Sequence, residues 1–208
     1  MNRIIIDAEG LRHNINMVDH WMRQRRIAWT AVVKVLCGHK PTIAAMQAMG
    51  VQSMGDSRLR NLRGLARAAP EVERWFLRVP TISSCDEVVR LSSVSLNSET
   101  SVIEALNREA GKLNKAHRVI IMIELGDLRE GVLPAALVRF YEHVFDLPHI
   151  EVVGIGTNLG CLAGTPPTVD QLMQLMLYKE LLELKFGRKL PMISGGSSAV
   201  LPLAIAGQ

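Results

Sequence analysis

Short runs of β-branched and other apolar residues alternate along this chain with longer stretches in which apolar residues recur every three or four positions. Seven of the short runs read as strands: 27–35 (IAWTAVVKV), 51–56 (VQSMGD), 74–79 (RWFLRV), 93–97 (SVSLN), 118–125 (RVIIMIEL), 151–157 (EVVGIGT) and 190–196 (LPMISGG). The longer stretches read as helices, and one of them, 11–26, precedes the first strand. In 41–50, Pro41 suits a first helical turn and Gly50 a C-terminal stop. In 98–115, Ser98 is the expected N-cap, with Val102, Ile103, Leu106 and Leu113 at helical spacing.

Such regular strand–helix alternation implies an α/β fold, with parallel strands joined by right-handed crossovers. Near-continuous apolar strands fit a sheet covered on both faces. An open doubly wound sheet and a (β/α)8 TIM-type barrel both meet these conditions. No GxGxxG follows the first strand, so the barrel is the expectation. Seven strands are found where such a barrel has eight, and the chain stops in LPLAIAGQ, within the helix expected after the seventh. The expectation is therefore one domain over 1–208, a barrel left incomplete without its eighth strand and with unpaired edges.

Composition narrows the picture. Hydrophobic residues are 48% of the chain but aromatic ones only 4%, so the core must be built from Leu, Ile, Val, Met and Ala. The formal charge of +4 is spread, and its densest cluster is Arg58, Arg60, Arg63 and Arg67. With no aromatic residues between them, these arginines read as a solvated helix face, and no nucleic-acid partner is expected. Cys37, Cys85 and Cys161 form no CxxC pair, which argues against zinc and disulfides and suits a reducing cytoplasm. The apolar run in MNRIIIDAEG is too short for a signal peptide, and no stretch approaches the length of a membrane span. A soluble cytoplasmic protein is expected.

Candidate chemistry lies at the strand ends, where barrels carry their functional groups. In order these are Lys34, Asp56, Arg78, Asn97, Glu124, Asn158, and Ser194 with Ser197. Strand ends meet solvent in any fold, which accounts for part of this polarity but poorly for its mix of an amine, arginine and a glycine–serine turn. The turn, 194–199 (SGGSSA), offers glycines that let backbone N–H groups approach an anion and hydroxyls beside them; an ordinary turn is the alternative. Desolvation favours the neutral form of an amine, so a lysine in a barrel mouth suits a Schiff base. A ligand with both an aldehyde and a phosphate would use Lys34 and the turn together, and pyridoxal phosphate is such a ligand. In 126–132 (GDLREGV), Arg129 would bind a carboxylate or a phenolate oxygen, or would form an ion pair within its own loop. His39 is either a general base or a solvent-facing turn residue. Metal-ligand spacings, a GxSxG elbow and a Walker loop are absent.

Six motifs in order, AVVKVLCG, SMGDSRLRNL, VSLNSE, LGDLREGV, GIGTNLGC and ISGGSSAVLPL, resemble the fold-type III pyridoxal-phosphate enzymes of the alanine racemase N-terminal-domain superfamily. Within it the chain is most similar to the ornithine racemase-like amino-acid racemases, from about Ile5 to Leu203. The resemblance implies pyridoxal 5'-phosphate as cofactor and an amino acid as substrate. It implies that Lys34 forms the Schiff base and exchanges the α-proton on one face. Arg129 would contact the ring oxygen and help place the substrate, Asn158 would take the place of a histidine beside the ring, and Ser198 would belong to the phosphate turn. Ser197 replaces the family's asparagine there, and Cys37 and Gly38 occupy the stretch where alanine racemases carry a phosphate-binding tyrosine.

Full-length relatives of this kind are homodimers. They continue with an eighth strand whose arginine faces the pyridine nitrogen, and with a β domain that supplies a tyrosine as the opposite-face acid/base. Without these parts the chain is expected to bind the cofactor weakly and to racemise poorly or not at all. The alternatives are a non-catalytic single-domain pyridoxal-phosphate protein of homeostasis and a decarboxylase or aldolase of the same fold. A substrate with a basic side chain would require an acidic partner, with Asp127 and Glu124 as candidates.

Overall fold

The computed structural model describes residues 5–162, 164 and 166–207. They fall into two compact units, Met1–Leu77 with Leu91–Ser93, and Arg78–Arg90 with Val94–Gln208. Among the described residues there are seven parallel strands, in the order anticipated from the chain.

The first unit opens with α1 (Ala8–Gln24), whose N-cap Asp7 accepts hydrogen bonds through Oδ1 from the N–H groups of Glu9 and Gly10, at 3.0 and 3.1 Å. β1 (Ala31–Val32), β2 (Ser53–Asp56) and β3 (Glu73–Phe76) alternate with α2 (Lys40–Ala48) and α3 (Leu59–Ala68). Ala31 pairs with Met54 and Val32 with Gly55, while β2 and β3 pair along their full length. Ile15, Ile43, Met46, Val51, Met54 and Leu65 share the core. Each such side chain contributes roughly 1.5–3 kcal/mol on full burial. Pro41 lies in the first turn of α2, and Gly50 follows that helix at φ +94. The arginines of α3 are exposed while Leu62 and Leu65 are buried, as a solvated face requires.

Two details differ from expectation. The run 27–35 gives a strand of only two residues, because the β2 ladder engages just Ala31 and Val32 before Val33 (φ −97, ψ 17) turns the chain. Ile27 and Ala28 remain exposed coil. β-Branching favours extended backbone, but strand length is set by the partner.

The second unit contains β4 (Val94–Asn97), β5 (His117–Met122), β6 (Ile150–Gly156) and β7 (Met192–Ser194), each paired in parallel with the next. The helices α4 (Cys85–Leu91), α5 (Thr100–Lys112), α6 (Leu137–Phe145), α7 (Val169–Phe186) and α8 (Leu201–Ala206) lie between and after them. β4 is buried throughout, and β5 is buried at every position except Arg118. The second difference is at α5. Its N-cap position is Glu99 rather than Ser98, and no side chain caps it. Val102, Ile103 and Leu106 are buried as expected, while Leu113 is the half-buried C-cap residue. Thr168 and Gln171 form a capping box at the start of α7. Among the described residues no helix is long and apolar enough to cross a membrane.

Candidate functional site

Lys34 lies in the first unit, two residues past β1, in a single 3-10 turn (Lys34–Leu36). Three short backbone bonds close the turn: Leu36 N–H to Val33 O at 3.0 Å, Cys37 N–H to Lys34 O at 3.2 Å and His39 N–H to Leu36 O at 2.9 Å. Cys37 (φ 49) and Gly38 (φ 76) are both left-handed, and they reverse the chain into α2. The lysine is half-buried. His39 is exposed, and its Nδ1 is 2.7 Å from Thr42 Oγ1 at the start of α2, so its ring is occupied locally. Asp56, fully inside, accepts from the Arg58 N–H at 2.9 Å and from Asn61 Nδ2 at 3.1 Å. That carboxylate holds the β2–α3 turn.

In the second unit, the loops after three consecutive strands are tied together. The loop after β5 closes at its base through an Ile123–Val132 bridge. Glu124 Oε1 accepts from the N–H groups of Gly126 (2.5 Å) and Leu128 (3.1 Å). Buried Asp127 reaches across to the segment after β6, accepting from the N–H groups of Cys161 and Leu162, both at 2.9 Å. Both candidate partners for a basic substrate side chain thus hold loop backbone. Arg129 Nε is 2.7 Å from Glu130 Oε2, and Asn158 Nδ2 donates to Glu130 Oε1. Glu130 therefore joins two of the residues singled out from the sequence.

The segment after β6 also meets the turn after β7. The Thr157 N–H donates to Ser194 O at 3.0 Å. Gly196 (φ +121) has a backbone conformation that favours glycine, and a Cβ there would stand a tight 3.0 Å from Val200 Cγ2. Ser197 is half-buried, and its Oγ accepts from the Ala199 N–H at 3.3 Å. Ser198 is exposed and opens a 3-10 turn (Ser198–Val200) that leads into α8. Guanidinium, amide, hydroxyls and a glycine-rich backbone form a donor set that suits anionic oxygens. The amine of Lys34 suits an aldehyde.

The remaining strand-end residues are structural or solvated. Arg78 is exposed, two residues past β3. Asn97 is buried, and its Nδ2 donates to Ser95 O (3.1 Å) and Ser95 Oγ (2.9 Å). Ser95 Oγ in turn lies 2.9 Å from His117 Nε2. Burial, reinforced by nearby Lys115 and Arg118, pushes His117 down to about 4. Burial likewise pushes the Cys85 thiol up to about 11, which makes it inert. The Ser95–His117 and Glu130–Asn158 contacts carry no local sequence signal, because they span 22 and 28 residues and depend on strand register.

The family described as alanine racemase, N-terminal domain, matches residues 6–206. The chain is 34% identical over 207 residues to an ornithine racemase of Acetoanaerobium sticklandii, covering 99% of this chain and 58% of that protein. It is 30% identical over 199 residues to a lysine racemase of Thermotoga maritima, covering 96% and 55%. The chain thus spans little more than half the length of these curated relatives. Among solved structures, an alanine racemase of Clostridium difficile in complex with cycloserine superposes with a TM-score of 0.78 at 14% identity, over 93% of this chain and 54% of that one. PipY of Synechococcus elongatus, with PLP bound, superposes with a TM-score of 0.73 at 17% identity, over 86% of each chain. These likenesses show the fold: α/β, with seven strands of the (β/α)8 TIM-type pattern.

Proposed function

The chain belongs to the alanine racemase N-terminal domain family, and on that premise we propose that it is the pyridoxal-phosphate-binding domain, over 1–208, of an amino-acid racemase. The observation that carries the reading is its identity to an ornithine and a lysine racemase along nearly its whole length. Both relatives are named for amino acids with a terminal amine, so the proposed substrate is an α-amino acid with a basic side chain.

Lys34 would hold the cofactor through its amine and, once the substrate amine has displaced it, the freed amine would move a proton to and from the substrate α-carbon on one face. Arg129 binds the ring oxygen, and Asn158 lies beside the ring. Ser197 and Ser198, with the N–H groups of their glycine turn, hold the phosphate. Bound pyridoxal phosphate supplies the electron sink that acidifies the α-hydrogen. The Lys34 amine then needs only to be held at that carbon, and the closed 3-10 turn fixes its backbone.

Solvent exchange tests this reading without requiring inversion, because one base suffices. With pyridoxal phosphate and L-ornithine or L-lysine in D2O, proton NMR should show loss of the α-hydrogen signal, and Lys34→Ala should abolish it. A second reading, a non-catalytic pyridoxal-phosphate-binding protein, is favoured by the match to 86% of both chains with PipY. Cofactor binding with no α-hydrogen exchange for any amino acid would decide for it.

A further inference from the structure

Arg129 sits on a loop whose backbone is already fixed. The Ile123–Val132 bridge closes its base, Glu124 binds two of its own N–H groups, and Asp127 anchors it to Cys161 and Leu162. What this leaves open is the direction of the guanidinium, which turns on four side-chain bonds. Glu130 meets it at Nε with Oε2 at 2.7 Å, and its other oxygen receives the amide of Asn158 from the next strand's segment. The Glu130 side chain is only 13% exposed, and that of Arg129 27%. A carboxylate so placed has geometric consequence beyond that of a solvated surface pair.

We propose that Glu130 is the positioning residue of the cofactor site: one carboxylate sets the orientation of both Arg129 and Asn158. This rests on the proposed function. Two opposed effects follow from its charge. Glu130 weakens the pull of Arg129 on an anionic oxygen, and it holds the guanidinium where that oxygen binds. For a partly exposed pair solvent weakens the Coulomb effect, whereas the two charge-assisted hydrogen bonds of the carboxylate fix a direction. Positioning wins, so removal of the charge weakens cofactor binding. Glutamine cannot replace it, because its single carbonyl oxygen accepts from one neighbour while its NH2 confronts the other donor.

The test has two arms. In the chain without cofactor, the Arg129 Nε–H should give a protected NMR resonance that Glu130→Ala, which leaves no acceptor, abolishes; no protection in the unmutated chain, or protection that survives in Glu130→Ala, overturns the proposal. In a spectroscopic titration with pyridoxal phosphate, Glu130→Gln should weaken binding about tenfold, the equivalent of about 1.4 kcal/mol. In a background lacking both side chains it orients, Arg129→Ala with Asn158→Ala, it should do so less than twofold. A loss of twofold or more in that background would show that Glu130 acts on the fold rather than through these two side chains, and would overturn the proposal. Should Glu130→Gln fail to fold by circular dichroism, Glu130→Asp, with the charge on a shorter arm, carries the same cycle. No binding by the unmutated chain would overturn the parent reading and this role with it, whereas binding with an unchanged affinity in Glu130→Gln overturns this role alone.

Discussion

The two regions that carry the proposed cofactor contacts are held in different ways. The turn bearing Lys34 is closed by three bonds between backbone groups a few residues apart. The loops bearing Arg129 and Asn158 are held by carboxylates, Glu124, Asp127 and Glu130, two of which reach from the segment after β5 to the segment after β6. A local backbone turn needs only permissive residues at its left-handed positions. A side-chain lattice fails when one acid is removed. The lysine proposed to attach the cofactor is thus placed by local geometry, while the loops that carry Arg129 and Asn158 are tied by contacts between the segments after β5 and β6, and perturbations should separate the two.

Acid should act most strongly, and through β5, the strand of the second unit that leads into the Arg129 loop. His117 is buried neutral and pushed down to about 4 from an ordinary 6.5. Between those values the unfolded chain takes up a proton that the folded one refuses, so stability is full above pH 6.5 and falls as the pH drops towards 4. At about 1.4 kcal/mol per unit, the loss approaches roughly 3 kcal/mol. Urea midpoints at pH 7.5 and 4.5 measure it, and His117→Gln should flatten the difference; an equal pH slope in that variant would place the effect elsewhere.

Asp127→Ala removes a charged acceptor from two N–H groups. Because Cys161 and Leu162 are themselves exposed, water replaces part of the loss, and the expected cost is about 2 kcal/mol. Hydrogen exchange at Cys161 and Leu162 should accelerate, with the amides of Leu36 and Cys37 unchanged. Acceleration at both places would erase the distinction between the regions.

Gly38→Ala should have the smallest effect. At φ +76 an alanine is strained by about 1 kcal/mol, and the space itself permits it, with the nearest atoms of Asn61 at 3.5 Å. A small fall in the urea midpoint is expected, with Arg129 Nε–H protection retained.

The same division explains what could be read from the chain. Alternation was sufficient for seven parallel strands in order, since each strand's apolar run is a local property. Pro41 and Gly50 marked the ends of α2 for equally local reasons. Strand length was not local: 27–35 contains the β-branched residues of a long strand, yet the ladder admits two. Ser98 carried an N-cap signature, but the helix starts one residue later. At the candidate site, Arg129 and Asn158 were visible as polar residues past strand ends, whereas the carboxylate joining them was visible only as half of a charged dipeptide. Its second partner lies 28 residues away and depends on the β5–β6 register.

The most direct test is chemical. The chain is incubated with pyridoxal phosphate, reduced with borohydride, digested and mapped by mass spectrometry. The account predicts a single dominant label on Lys34, lost in Lys34→Ala without transfer to another lysine. Label spread over exposed lysines such as Lys40, Lys112 and Lys185, or equal labelling of Lys34→Ala, would contradict it.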